Sequence, residues 1–265
     1  MPSYIDSDNA LGSPFGDVDD AFAIAALLQS PLDVIGIGSV AGNTSEPRAA
    51  ANNERVASTC GFTGAMLRPA GSAITKFLSA TSGPLTIAAL GPLTNIAAAI
   101  RDDPGFVSRV KEVVIVGANA TSRGRWPPLW PHEFNLTKDK VATFALFRSD
   151  LPLTFVPLEV ACRMRASHER LRDLPKNELT DLLVKGSRRW LRRARILKRA
   201  SSFPVWDLTA AMYLIEPGLF TWEETTATIA SNTHMKFGEG DRPVRLIRSF
   251  DESKAWEAFV RRIEN

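Results

Sequence analysis

Five aspartates stand within a fifteen-residue stretch near the N-terminus: Asp6, Asp8, Asp17, Asp19 and Asp20. Carboxylates this close raise each other's pKa and repel one another unless a positive charge neutralises them. Ca²⁺ and Mg²⁺ both prefer carboxylate oxygens, so the stretch is a candidate cation site. Asp19 and Asp20 also open a predicted helix, where the helix dipole favours acidic residues. Spacing alone therefore leaves a metal site and a set of solvated turn and cap residues both open.

Composition restricts the class of protein. The chain has 265 residues, 45% of them hydrophobic and 23% charged, with a net charge of +3 and a pI near 9.0. These values are ordinary for a globular protein and exclude disorder and a collagen-like chain. The longest apolar run, Ala21–Leu28, is too short to span a bilayer. Cys60 and Cys162 form no disulfide framework, and no leader precedes Tyr4, so we expect a cytoplasmic protein.

Short apolar runs alternate with helical patterns along the chain. The expected strands are Ser3–Ser7, Val34–Val40, Leu85–Leu90, Val110–Val116, Leu151–Val156 and Val244–Phe250. The expected helices are Val18–Gln29, Pro47–Cys60, Thr94–Arg101, Asp139–Phe147, Leu171–Arg199 with a break at Pro175, Asp207–Ile215 and Asp251–Ile263. Strands that are apolar on both faces are typical of a buried parallel sheet. The pattern predicts a single α/β domain over residues 1–265, with a mostly parallel central sheet flanked by helices and a Rossmann-like core.

Polar residues follow the predicted strands where each of them ends. The acidic stretch follows the first strand, Asn43 follows the second, and Glu133 and Asn135 come after Val110–Val116. Ligands in open α/β sheets bind at the carboxyl ends of the strands. We therefore expect these side chains to meet at one edge of the sheet.

Several short motifs, taken together, resemble the inosine–uridine-preferring nucleoside hydrolases. The family's common opening is D-x-D-x-G-x-D-D after the first strand, and here the two aspartate pairs stand further apart, around an inserted Gly12-Ser13-Pro14 loop. The other matching motifs, in the family's order, are Gly42-Asn43, Leu90-Gly91-Pro92-Leu93-Thr94-Asn95-Ile96-Ala97, Val113-Val114-Ile115-Val116-Gly117, Glu133-Phe134-Asn135 and Trp206-Asp207. The resemblance implies Ca²⁺-dependent hydrolysis of the N-glycosidic bond of a ribonucleoside, giving free base and ribose.

The resemblance also implies a metal centre and a catalytic base. Asp8 would be the general base, taking a proton from a metal-bound water, and would itself touch the Ca²⁺ ion. Asp20, the backbone carbonyl of Leu90 and Asp207 would complete the protein ligands. Asp6 would support the metal-binding carboxylates from behind without touching the ion.

The same resemblance assigns residues to the substrate. Asp19 would hold the ribose 2′-hydroxyl, and Asn43 and Asn135 the 2′/3′ edge of the ribose. Glu133 would meet the 5′-hydroxyl. Trp206 occupies the position where purine-cleaving members often have a histidine, and a tryptophan stacks on a base but donates no proton of useful pKa.

Two further departures from the family concern the cover of the pocket. The stretch 71–83 lacks the His- and Gly-rich loop that usually folds over the substrate. A usual asparagine contact to the ribose is replaced by Pro127, and Trp126 and Trp130 beside it are candidates for apolar walls. His132 is the one histidine near the predicted site and is a candidate leaving-group acid, although the sequence favours a solvated or backbone-bonded histidine.

The stretch 185–199 holds eight basic residues in fifteen. Its periodicity predicts a helix with one apolar face, formed by Trp190, Leu191, Ala194 and Leu197. The basic residues are either a solvated face or a means of attracting an anionic substrate to the pocket. Glu133 would repel a 5′-phosphate, so a neutral nucleoside is the expected partner and nucleic acid and membrane are not.

Three other functions remain open from the sequence. One is a diverged N-ribosyl hydrolase that acts on a nucleotide or a modified nucleoside. Another is a ribose- or nucleoside-binding protein without turnover. The third is a phosphatase of the haloacid-dehalogenase type, which also has D-x-D after its first strand. The resemblance further implies a homo-oligomer, either a dimer or a tetramer.

Overall fold

Strands and helices alternate along most of the chain in a computed structural model, which describes residues 1–13, 16–69, 73–120, 133–198 and 200–264. The strands are β1 Pro2–Ser7, β2 Asp33–Ser39, β3 Ala65–Leu67, β4 Leu85–Ala89, β5 Val110–Val116, β6 Leu153–Val156, β7 Arg165–Ser167, β8 Ser202–Pro204, β9 Phe220–Ile229, β10 Met235–Phe237 and β11 Arg242–Phe250. The helices are α1 Asp19–Leu28, α2 Glu46–Thr59, α3 Ala73–Ala80, α4 Thr94–Asp102, α5 Phe106–Arg109, α6 Asn135–Lys138, α7 Lys140–Arg148, α8 Leu158–Ala161, α9 His168–Arg172, α10 Glu178–Lys198, α11 Trp206–Ile215 and α12 Glu252–Arg262.

A nine-stranded sheet runs through the described part of the chain in the order β10-β9-β11-β6-β5-β4-β1-β2-β3. Every neighbouring pair from β11 to β3 is parallel, whereas β9 is antiparallel to both β11 and β10. Strands β7 and β8 form a separate antiparallel pair. The predicted single α/β domain with a mostly parallel central sheet is confirmed.

Apolar residues cover both faces of the central strands, which is why helices pack on both sides. Val114 and Val116 of β5 lie in one core together with α1, α11 and α12, whereas Val113 and Ile115 lie in the other core with α4 and α7. Successive side chains of a strand point to opposite faces, so an uninterrupted apolar strand requires two cores. Helix α1 is buried along almost its whole length between the sheet and α11.

The sequence analysis missed β3, β7, β8, β9 and β10. The exposed positions of β9 are Thr221, Trp222 and Glu224, and the strand lies beyond the run of parallel strands, so it lacks the continuous apolar pattern of the centre. The long helical stretch is interrupted as expected, since α9 ends at Arg172 and α10 begins at Glu178, on either side of Pro175. Both cysteines are free thiols. Among the residues that the structure describes, no helix is long and apolar enough to cross a bilayer.

The sheet order places a binding crevice beside the first strand. Chain connections lead from β1 to β2 on one side, while β4, β5 and β6 lie on the other side of β1. Such a switch in direction opens a crevice at the carboxyl ends of the strands. Asp8 follows β1 and Leu90 follows β4, so the two residues flank this crevice.

Candidate active site

Asp6 is the acidic residue of β1, and its side chain is buried, with 1% exposure. Its Oδ1 atom accepts hydrogen bonds from the Tyr4 hydroxyl at 2.9 Å and from Asn95 Nδ2 at 2.8 Å. Asn95 also donates to the carbonyl of Ser39, which ties α4 to the end of β2. Burial raises the pKa of Asp6 to about 6, although the hydrogen bonds from Asn95 and Tyr4 lower it. These contacts suit the supporting role predicted for Asp6.

Asp8 is fully buried and has one anchored and one unpartnered oxygen. Its Oδ2 accepts the backbone N–H of Asn43 at 2.5 Å, and its Oδ1 has no hydrogen-bond partner among the described residues. Burial raises its pKa to about 7, hydrogen bonds from Asn43 lower it, and the charge of Asp19 raises it again. A Cβ atom at Gly42 would lie 1.9 Å from Asp8 Oδ2. The close approach that holds the Asp8 carboxylate therefore requires glycine at position 42.

Three more carboxylates converge at the N-terminus of α1. Oxygens of Asp17, Asp19 and Asp20 lie within 4.8 Å of one another. The Ser7 hydroxyl donates to Asp20 Oδ1 at 2.6 Å and so orients that carboxylate from β1. One oxygen of each residue is buried without a hydrogen-bond partner in the described structure: Asp17 Oδ1, Asp19 Oδ1 and Asp20 Oδ2. Burial raises the pKa of all three carboxyls.

Asp207, the second residue of α11, joins this cluster from the other side. Its backbone N–H donates to Asp19 Oδ2 at 3.2 Å, so the N-termini of α1 and α11 meet at the carboxylates. Burial raises the pKa of Asp207 well above its usual value, and the charges of Asp19 and Asp20 raise it further. The structure thus brings together the acidic residues that the sequence placed far apart.

The unpartnered oxygens fit a hard divalent cation. All the side-chain donors are carboxylates, the ligand type that Ca²⁺ and Mg²⁺ prefer. Among the described residues, no lysine or arginine forms an ion pair with the carboxylates of this cluster. Buried charges without a partner are strongly unfavourable, so a bound cation is the arrangement that these residues fit.

Asn135 and Glu133 make contacts that the sequence did not anticipate. Asn135 Nδ2 donates to the carbonyls of Leu90 at 2.9 Å and Val116 at 3.2 Å. This places Asn135 beside the crevice, with its amide nitrogen engaged by backbone. The Glu133 carboxylate caps α6, accepting the backbone N–H groups of Leu136 at 2.8 Å and Thr137 at 3.1 Å. Burial raises the pKa of Glu133 to about 7, and these hydrogen bonds lower it.

Trp206 opens α11 directly before Asp207. It is half-buried and packs against the larger apolar core. Hydrogen bonding by its backbone lowers the pKa of Asp19. The tryptophan is therefore next to the carboxylate cluster, at the position from which the sequence predicted contact with a base.

Helix α10 holds the loop that carries the inserted residues. The Trp190 indole N–H donates to the carbonyl of Gly16. Leu11 packs so closely on Gly186 that a Cβ atom there would lie 2.2 Å from its Cδ1. Trp190, which belongs to the predicted apolar face of α10, therefore holds the acidic loop by a hydrogen bond. The close contact with Leu11 explains why position 186, in the middle of a long helix, is glycine.

Asp17 is the aspartate of the acidic stretch to which the family resemblance assigned no role of its own. It stands between the two aspartate pairs of D-x-D-x-G-x-D-D, and that motif requires no aspartate there. Ser7, Tyr4 and Asn95 were also missed, because hydroxyl and amide partners of a carboxylate leave no spacing pattern. Pro14, Trp126, Pro127, Trp130 and His132, named from the sequence, lie outside the described residues.

Comparisons with known proteins agree with this fold. Residues 65–257 match the family model described as inosine-uridine preferring nucleoside hydrolase. The non-specific ribonucleoside hydrolase RihC of Klebsiella pneumoniae is 28% identical over 91% of this chain and 89% of its own length. A purine-preferring ribonucleoside hydrolase from Gardnerella vaginalis superposes with a TM-score of 0.83 at 18% identity, covering 100% of this chain and 98% of the other.

A plant nucleoside hydrolase, PpNRh1, superposes with a TM-score of 0.82 at 19% identity, over 99% of this chain and 98% of the other. At these identities the solved structures establish the fold, whereas the family rests on the sequence match. The matched range begins after the acidic stretch 6–20, so the match to the family model does not depend on the five N-terminal aspartates. The haloacid-dehalogenase alternative loses its support. The chain belongs to the inosine-uridine preferring nucleoside hydrolase family and is a hydrolase of N-glycosyl compounds.

Proposed function

We propose that this protein hydrolyses the N-glycosidic bond of a ribonucleoside with Asp8 as the general base. The observation that carries the proposal is the asymmetry of the Asp8 carboxylate. Its Oδ2 is held by the backbone N–H of Asn43, whereas its Oδ1 has no partner in the described structure and is free to accept a proton from water. A base fixed by one oxygen and open at the other is oriented before the substrate arrives.

The proposed cofactor is Ca²⁺, with Asp8, Asp20, Asp207 and the carbonyl of Leu90 as protein ligands. Asp8 and Asp20 each have a buried oxygen without a hydrogen-bond partner in the described structure, which supports their place in this set. Asp207 is supported by its closeness to the cluster, since, in addition to burial, the charges of Asp19 and Asp20 raise its pKa. When bound, the cation would lower the pKa of a water and hold that water for attack. Ser7 orients Asp20 for this role, and Asn135 donates to the Leu90 carbonyl.

Buried carboxylates also suit the charge that develops on the ribose. Glycosidic cleavage passes through an oxocarbenium-like state with positive charge on the sugar. Asp19, which we propose to hold the 2′-hydroxyl, has one oxygen fixed by the backbone N–H of Asp207 and one without a partner in the described structure. A preorganised negative group beside the sugar favours that state more than it favours the neutral nucleoside. Asn43 and Asn135 are proposed to hold the diol edge.

Trp206 is proposed to contact the leaving base by stacking. Its place directly before Asp207 supports this role. Among the described histidines, His168 begins α9 and His234 lies between β9 and β10, so neither belongs to an element that forms the carboxylate cluster. Glu133 is proposed to meet the 5′-hydroxyl, which would require it to keep its helix cap while accepting one more hydrogen bond.

A nucleoside panel tests the proposal directly. Release of ribose from inosine, adenosine, uridine and cytidine is measured after chelation and again after addition of Ca²⁺ or Mg²⁺. We expect cleavage of at least one nucleoside with Ca²⁺ and a loss of at least about a hundredfold on chelation. Absence of ribose from every nucleoside by a protein with bound Ca²⁺ would overturn the proposal and favour a nucleoside-binding protein without turnover.

Asp17 is proposed as an additional carboxylate at the cation. Replacing it with asparagine removes one negative charge from the cluster, so we expect about a tenfold or greater loss of Ca²⁺ affinity by calorimetry. The same Asp17→Asn change relieves repulsion and is expected to raise the Tm of the chelated protein. The control is Asp241→Asn, which removes an exposed carboxylate in the turn before β11. Unchanged Ca²⁺ affinity in Asp17→Asn would contradict the role.

A further inference from the structure

The arginines of α10 are not used by the proposed reaction, yet three of them line a cavity. The cavity measures about 590 Å³ and lies between α10, the start of α9 and the segment that leads into β8. Its lining residues are His168, Arg188, Leu191, Arg192, Arg195, Ala200 and Ser201. None of the residues of the carboxylate cluster contributes to it. The cavity is therefore a concave site separate from the described carboxylate cluster.

Helix geometry separates this cavity from the candidate active site. Gly186 and Trp190 are four residues apart and face the acidic loop, where Gly186 packs against Leu11 and Trp190 donates to the carbonyl of Gly16. Arg188 and Arg192 are also four residues apart, but they are offset from the first pair by two positions. Two positions correspond to roughly 200° around an α-helix, so the arginines point away from the loop. Helix α10 thus stands between the carboxylates on one side and the arginines on the other.

The arginines in the cavity carry uncompensated charge. Arg188, Arg192 and Arg195 have no ion pair with any carboxylate that the structure describes, whereas Lys185 on the same helix pairs with Asp181. All three side chains are exposed. Guanidinium groups at spacings of four and three residues form one positive face, which attracts phosphate and binds its oxygens by charge-assisted hydrogen bonds.

We propose that this cavity binds a nucleoside phosphate. The guanidinium groups would take the phosphates, and the half-buried Leu191 and Ala200 supply an apolar surface for the base or sugar. The volume lies within the range of about 300–1,000 Å³ that is typical of small-molecule sites. A concave site of this size favours a small phosphorylated ligand over a polynucleotide, which tracks along an extended basic groove.

Calorimetric titration of the whole chain with ADP tests the proposal. Chelator is present throughout, so that the candidate active site holds no cation. We expect ADP to bind with a Kd of about 100 μM or tighter, and inorganic pyrophosphate to compete with it. Arg192→Gln should weaken ADP binding by about tenfold, because one guanidinium–phosphate contact is lost. The matched control is Arg189→Gln, an exposed arginine of the same helix outside the cavity lining, which should change the Kd by less than about twofold.

Each other outcome overturns the proposal. Equal weakening by Arg189→Gln and Arg192→Gln would show general attraction to a basic helix. Tight binding of single-stranded RNA without binding of ADP would identify a polynucleotide surface. Loss of nucleoside cleavage in Arg192→Gln, together with loss of ADP binding, would place ADP in the candidate active site. If no nucleoside is cleaved by the wild-type protein, the ADP titrations still decide the question.

Discussion

Asp8→Asn is expected to lower kcat for the best nucleoside by about 10³-fold. The substitution preserves the shape of the side chain and leaves an acceptor for the Asn43 N–H, but an amide cannot take a proton from the attacking water. The fold should survive, because the removed charge is one that burial disfavours. Steady-state release of ribose at saturating Ca²⁺ measures the effect, and circular dichroism checks the fold.

Asp6→Asn is the matched control, since both residues are buried aspartates at the end of β1. Asparagine at position 6 keeps an oxygen that accepts from Tyr4 and Asn95. Asp6 is assigned a supporting role, so we expect kcat to fall by no more than about tenfold. If Asp8→Asn retains a tenth or more of the wild-type kcat, or loses no more than Asp6→Asn, Asp8 is not the general base.

Without a bound cation, the protein is expected to lose stability as the pH rises. Folding raises the pKa of Asp6 from 3.8 to about 6 and that of Asp8 from 3.8 to about 7. The folded state therefore binds these protons more tightly than the unfolded state. The stability that this tighter proton binding contributes is complete below about pH 4 and is lost as the pH rises through about 7. We expect the Tm of the chelated protein to fall by at least about 5 °C between about pH 5.5 and 8.

Saturating Ca²⁺ should remove most of this fall, because the cation neutralises the carboxylates that repel one another at high pH. Ca²⁺ at a thousand times its Kd adds about 4 kcal/mol to the free energy of unfolding. Protons compete with the cation for the same oxygens, so the Ca²⁺-induced rise in Tm should be larger at about pH 8 than at about pH 5.5. Scanning calorimetry at both pH values measures this rise in Tm, and Asp241→Asn is the control variant. A chelated Tm that is constant or rises over this range contradicts the cation site.

The central strands and helices were predictable from the sequence because burial on both faces produces an uninterrupted apolar run. Strand β5 and helix α1 are examples, and both lie within a residue or two of their predicted bounds. Strand β9 was not predictable in this way, since only Phe220 and Ala227 of its ten residues are buried and it pairs with β11 near the end of the sheet. Pairing with a neighbouring strand, rather than its own periodicity, makes this segment a strand.

Some residues of the candidate site are likewise placed by local geometry, and others are placed by contacts between distant segments. Asp8, Asp19 and Asp20 could be named from the sequence, because they follow a strand or begin a helix and local geometry directs them to one edge of the sheet. Asp17 was a candidate as a member of the acidic stretch. Its place beside Asp19 and Asp20 depends on the tertiary structure, in which Trp190 and Gly186 of α10 hold the inserted loop in place. The capping role of Glu133 and the arginine cavity behind α10 likewise depend on contacts between distant segments. Local sequence encodes periodicity and termini, whereas the partner of a side chain far along the chain is decided by how the elements pack.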